Sequence, residues 1–76
     1  MAKLPRLSGK QVIKALSKCG FLIVRQKGSH IILKKETTKG TCVTVIPNHK
    51  EIDKGTLLEI IRQAKLKRKD FMELLK

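Results

Sequence analysis

Two histidines stand out in a chain with few other groups able to move a proton. His30 closes the string Arg25-Gln26-Lys27-Gly28-Ser29-His30, and His49 sits in Pro47-Asn48-His49-Lys50. Imidazole titrates near neutrality, so the neutral ring serves as a general base and the charged ring as a general acid. Arg25 and Lys27 lie close to His30 in sequence; cations there oppose a protonated ring and favour the basic form. The same two cations, with backbone N–H groups around Gly28 and Ser29, suit a site where negative charge develops. Spacing alone leaves the plainer alternative open, because an isolated histidine at a turn is more often an ordinary strand residue. His49 reads equally as a general acid, a phosphate donor or a loop-bracing hydrogen-bonder.

The remaining chemistry is narrow. Glu36, Glu51, Asp53, Glu59, Asp70 and Glu73 do not pair in sequence, which disfavours carboxylate-dyad and two-metal mechanisms. No phosphate-binding P-loop or dinucleotide fingerprint is present, and no metal or cofactor is expected. Cys19 and Cys42 lack metal-ligand spacing and are too few for a disulfide framework, so they read as reduced structural thiols.

Charge points to the partner. Eighteen Lys and Arg face six Asp and Glu, a formal net charge of +12 on 76 residues. Self-repulsion on that scale implies a polyanion, and nucleic acid answers it through counterion release. On RNA, the proton for a base at His30 is that of a ribose 2′-hydroxyl, whose oxygen then attacks the neighbouring phosphorus. Lys10, Lys14 and Lys18 recur at i+4 on one predicted helix and Lys65-Leu66-Lys67-Arg68-Lys69 forms a second basic cluster. Each is either a solvated face or a phosphate contact. With no Trp or Tyr, and two Phe in core-like patterns, base-stacking platforms are disfavoured. No apolar run is long enough to span a membrane and none follows the basic N-terminus as in a signal peptide, so a cytoplasmic protein is expected.

The elements that must position these groups follow from local signals. After a lead-in over 1–7, Ser8-Gly9-Lys10-Gln11 reads as a capping box, and apolar spacing predicts a helix over 9–19 stopped by Gly20. Strands are predicted over 21–26, 30–35 and 41–46, with a Lys27-Gly28-Ser29 turn, a hairpin loop over 36–40 and an end at Pro47. A second helix over 54–64 starts at Asp53 or at a rival Thr56/Glu59 box, and a short third helix covers 68–75. The order α-β-β-β-α-α over a single domain, 1–76, makes an α+β two-layer sandwich with a three-stranded antiparallel sheet. Alternation places Ile23 and Arg25 on one side of the first strand and Leu22 and Val24 on the other. Both sheet faces thus carry apolar residues, to be covered either by the chain's own ends or by a partner protein.

The wording of these segments resembles the HicA (YcfA-like) family of small toxin ribonucleases. The similarity runs through Ser8-Gly9-Lys10, Gly20-Phe21, Arg25 to His30, Thr44-Val45, Pro47-Asn48-His49, Lys54-Gly55-Thr56-Leu57, Gln63-Ala64 and Phe71. The resemblance implies a double-stranded-RNA-binding-domain-like fold, cleavage of mRNA, and neutralisation by a HicB-type antitoxin. It also implies that the catalytic histidine is that of the G-S-H motif, His30; Lys10, Lys14, Arg25, Lys27, Gly28, Ser29 and His49 are the RNA contacts expected from charge and position. A non-catalytic basic RNA-binding module of the same fold is the alternative. The chain departs from the family pattern at Lys65 and Lys67, where Gly and Ser are common, which bears on the local geometry there.

Overall fold

The computed structural model describes residues 4–75; the part of the lead-in read for a signal peptide that falls on residues 1–3, and residue 76, lie outside the described residues. Helix α1 (Gly9–Ser17) is followed by strands β1 (Leu22–Lys27), β2 (His30–Thr37) and β3 (Gly40–Pro47), then α2 (Lys54–Gln63) and α3 (Arg68–Leu74). The strands pair antiparallel in the order β1-β2-β3. The fold is the expected α+β arrangement, with the helices on one face of the sheet.

Local chemistry explains the helix ends. The Ser8–Gln11 box forms in both directions: Ser8 Oγ accepts from the Gln11 N–H at 3.2 Å, and Gln11 Oε1 accepts from the Ser8 N–H at 2.9 Å. Helix α1 ends at Ser17, two residues short of expectation. Gly20, at φ +105°, turns the chain back so that the Phe21 N–H donates to the Leu16 carbonyl at 3.2 Å. Asp53 wins the start of α2: its carboxylate accepts from the Thr56 N–H at 3.1 Å and the Thr56 hydroxyl at 2.7 Å. Those bonds, the hydroxyl first, hold the Asp53 carboxyl below its usual range. Thr56 is thereby the partner of Asp53 and does not cap on its own account.

The far end of α2 closes in a Schellman motif, with the Leu66 N–H donating to the Ile61 carbonyl at 3.2 Å and the Lys65 N–H to the Arg62 carbonyl at 3.1 Å. Lys65 therefore takes the left-handed position, φ +61°, that glycine normally fills; among the described residues it is the one non-glycine with positive φ. This is the structural meaning of the departure at Lys65.

Beneath the helices lies a core built from Val12, Leu16, Phe21, Leu33, Ile46, Leu57, Ile60 and Phe71, all buried. Thr44 is buried among them, its hydroxyl donating to Gln63 Oε1 at 2.9 Å, so no polar group there is left unsatisfied. Cys42 is buried and Cys19 partly so; both are free thiols.

Two features differ from the sequence reading. The loop expected over 36–40 shrinks to Thr38-Lys39, because Thr37 pairs with Gly40 and its hydroxyl donates to the Gly40 carbonyl at 2.8 Å. A bulge between Ile23 and Arg25 also separates these residues, which strict alternation placed on one side. Ile23 stands opposite inward-facing Leu33, while Arg25 stands opposite outward-facing Ile32. Leu22, Arg25 and Lys27 consequently share the face that carries His30, Ile32, Lys34, Val43 and Val45.

That outer face is left uncovered within the described residues. Leu22 is 70% exposed, Val43 48% and Val45 39%. The described terminal residues do not cover it: Leu7 is buried and pairs with Ile52, and Leu74 and Leu75 pack against the core on the helical side. Every residue of β1 is exposed, since the helices lie over β3 and leave this edge strand bare.

Candidate active site at one end of the sheet

Gly28-Ser29 joins β1 to β2 as a two-residue turn. Gly28 takes φ +60° and Ser29 does not take positive φ, the pattern of a type II′ hairpin, which needs glycine at its first central position. The turn fixes what flanks it. Lys27 and His30 form the last pair of the β1–β2 ladder, and His30 stands opposite Pro47 on β3. By alternation from buried Ile31 and Leu33, the His30 imidazole lies on the outer face, and it is exposed. Arg25 lies two residues before Lys27, so strand alternation puts it on the same face, opposite Ile32.

The loop after β3 is tied to this turn by backbone. The Asn48 N–H donates to the Ser29 carbonyl at 2.6 Å, and the Gly9 N–H donates to the His49 carbonyl at 2.9 Å. Three separate segments, Ser8-Gly9, Gly28-Ser29-His30 and Pro47-Asn48-His49, are thus stitched together at one end of the sheet. Gly9 is required by proximity: a Cβ there would stand 2.3 Å from the Pro47 carbonyl oxygen and 3.1 Å from the Asn48 Cα. Beside this seam a shallow depression of about 250 Å³ is lined by Ser8, Lys10, Asn48, His49 and Lys50.

Of the residues singled out from sequence, His30, Lys27, Arg25, Gly28, Ser29, His49 and Lys10 come together at this end. Lys14 does not. It lines a different groove with Pro5, Leu74 and Leu75, and Lys18 Nζ donates to the Leu74 carbonyl at 3.1 Å. The lysine stripe on α1 therefore divides, its first member toward the His49 loop and the others toward α3. Sequence reasoning missed Lys50 and Asn48 as lining residues and Gly9 as the close-approach point. The signal was available in the S-G-K and P-N-H wording, but nothing local says that these two segments touch.

The carboxylates are occupied elsewhere: Glu36 pairs with Lys34 at 3.5 Å, Glu51 with Arg6 at 3.8 Å, and Glu59 with Arg62 at 2.5 Å. The Arg62 guanidinium holds the Glu59 carboxyl below its usual range. An exposed imidazole beside two cations, with a second imidazole and two lysines on an adjoining loop and helix start, has the parts to bind an anion and exchange a proton with it.

A search of curated proteins returned no match. A family model described as the HicA toxin of bacterial toxin-antitoxin systems matches residues 9–66, a span running from the start of α1 to just past α2 and containing Gly9, Gly28-Ser29-His30 and Pro47-Asn48-His49. The chain belongs to the HicA toxin family, and is the toxin member of a toxin–antitoxin pair.

Proposed function

We propose that this toxin is an endoribonuclease that cleaves mRNA in the cytoplasm without a metal, with His30 as the catalytic base. The observation that carries the reading is the position of His30: exposed, on the last rung of a glycine-turned hairpin, directly opposite Lys27. Its imidazole nitrogen takes the proton of a ribose 2′-hydroxyl, and that oxygen attacks the adjacent phosphorus. The bond to the 5′-oxygen breaks, and that oxygen leaves with a proton from His49 or water, giving a 2′,3′-cyclic phosphate and a 5′-hydroxyl. Lys27 and Arg25 offset the charge on the phosphorane, while Lys10, Lys50 and His49 hold a flanking phosphate in the depression beside Ser8. A positioned base contributes about 10²–10⁴-fold and electrostatic stabilisation about another 10²–10³-fold.

The antitoxin is of HicB type and docks on the outer sheet face. The exposed Leu22, Val43 and Val45, with half-buried Ile32 between them, give it an apolar footing, Arg25, Lys27 and Lys34 attract acidic groups, and His30 lies at the margin, so docking also hides the base. The test is incubation of purified toxin with mRNA in EDTA beside His30→Ala. Cleavage that disappears in the folded variant supports the reading. Salt-sensitive binding without cleavage by either protein would leave a non-catalytic RNA-binding module.

A further inference from the structure

A second basic feature lies on the other side of the sheet and at its opposite end. There the β2–β3 hairpin rises past the helical layer and leaves a groove of about 640 Å³ against the α2–α3 junction. Lys35, Lys39 and Lys65 line it, with Thr37, Thr38 and Thr41, and no carboxylate does. Lys35 stands opposite buried Cys42, which puts it on the helical side of the sheet, its Nζ 6.0 Å from the Phe21 ring centroid. Among the described residues neither Lys39 nor Lys65 has an ion-pair partner.

Lys65 is the informative member. It holds the left-handed position of the α2 cap, where glycine is unstrained and a side chain is not. A strained cation at the rim of an unneutralised groove, facing two further lysines and a row of hydroxyls, is an arrangement suited to an extended polyanion. Hydroxyl and ammonium donors are what phosphate oxygens accept from, and the lack of aromatic residues in the lining removes base stacking as its purpose.

We propose that this groove is a second RNA-binding site, which holds the phosphate backbone of the substrate at a distance from His30 and reads no bases. The proposal rests on the ribonuclease reading above. His30 and Thr37 are the two ends of β2, seven steps apart, so the two sites are separated by roughly 23 Å along the strand at about 3.3 Å per residue. A stacked strand running from one to the other covers about seven nucleotides at its ~3.4 Å rise.

The experiment is fluorescence anisotropy of a labelled 20-nucleotide single-stranded RNA and of a 4-nucleotide one, titrated over a range of salt, in the non-cleaving His30→Ala background. Added to it is either K35Q/K39Q/K65Q or a control of equal net charge, K54Q/R68Q/K69Q, whose residues do not line the groove. Gln at position 65 keeps the backbone strain of Lys, and circular dichroism confirms the fold of each variant. The groove variant is expected to lower the slope of log affinity against log salt by about 2 for the long RNA, at about 0.7 per phosphate contact on a single strand. A loss of at least tenfold at 0.1 M salt accompanies it, with little change for the short RNA and a much smaller loss in the control. Equal losses in the two variants would reduce the groove to its share of the net charge and overturn the proposal. An unchanged slope would overturn it too, including the case where the groove takes an acidic protein segment. A parent with no salt-dependent binding to the long RNA overturns the proposal as well, whereas failure of the ribonuclease reading shows elsewhere, in a wild-type protein that leaves the long RNA uncut in EDTA.

Discussion

The backbone N–H of Asn48 donates to the carbonyl of Ser29 at 2.6 Å, so the residues immediately before the two histidines are bonded to each other. His30 and His49 inherit their placement from this single link, although eighteen residues of chain run between them. The observed contact of His49 is made by its carbonyl, to Gly9, which leaves its side chain free for a ligand.

That division of labour separates the two histidines experimentally. His30→Ala is expected to lower RNA cleavage by about 10²–10⁴-fold, whereas His49→Ala raises KM with a smaller effect on kcat. Both side chains are exposed, so neither change should alter stability by more than about 0.5 kcal/mol. Single-turnover cleavage of a defined transcript, with urea unfolding of each variant, checks this.

Gly9→Ala sets helix propensity against a clash. Alanine favours the helix by about 1 kcal/mol. Its Cβ, however, would lie 2.3 Å from the Pro47 carbonyl oxygen, a backbone atom that cannot swing aside. Overpacking of this sort costs about 1–3 kcal/mol, so the net change is destabilising. Because the displaced backbone is the one bonded to Ser29, cleavage should fall while RNA of the long kind still binds. A variant as stable and as active as the parent would show that α1 and the Pro47 loop are not held together as described.

Lys65→Gly removes left-handed strain of about 1–2 kcal/mol and adds back about 0.5–1 kcal/mol of unfolded-chain entropy. The expected gain is about 0.5–1 kcal/mol, or about 2–8 °C in Tm for a chain of this size. Differential scanning calorimetry reads it directly, and the same substitution should weaken long-RNA binding, so that stability and affinity move in opposite directions.

The α2 cap gives stability a pH dependence below neutrality. Hydrogen bonds from Thr56 depress the folded pKa of Asp53 below its usual 3.8. Its contribution is therefore complete above that unfolded value and is lost as pH falls through the lower folded value. Asp53→Ala should unfold more readily than the parent at pH 7, and the gap should close as the pH is taken well below 4. A gap independent of pH would mean that the charge on the cap is immaterial.

Val43→Glu probes the outer face. Val43 is 48% exposed and in register with Lys34, which can accommodate the new carboxylate in the free protein. Folding and RNA cleavage should survive, with stability within about 1 kcal/mol of the parent. Association with the antitoxin should weaken at least tenfold, and co-expression should no longer restore growth. Full rescue would move the docking surface elsewhere.

What could be read from the residues was whatever chemistry keeps local. The Ser8–Gln11 box lies within four positions, Gly28 announces its own turn, and the apolar spacing of Leu57, Ile60 and Ile61 needs no outside partner to be recognised. The bulge was not legible, because Ile23, Val24 and Arg25 carry no glycine or turn signal and an inserted residue in such a run looks like ordinary strand. It matters to the outer face, since it brings Leu22 to the side that carries Arg25 and His30. The shortened hairpin was hidden for a related reason: Thr37 and Gly40 look like loop residues and become strand only by pairing with each other. The seam of Ser8, Ser29 and Asn48 is a tertiary contact between distant segments, which no local pattern encodes.

The kink midway along the outermost strand has a second effect. A straight, bare, greasy strand is a template on which identical molecules zip together, edge to edge, into fibres. By breaking the ladder at Ile23–Arg25 and leaving Arg25 and Lys27 on that edge, the molecule spoils the template for its own copies. It can leave an apolar flank open to water without forming aggregates of itself.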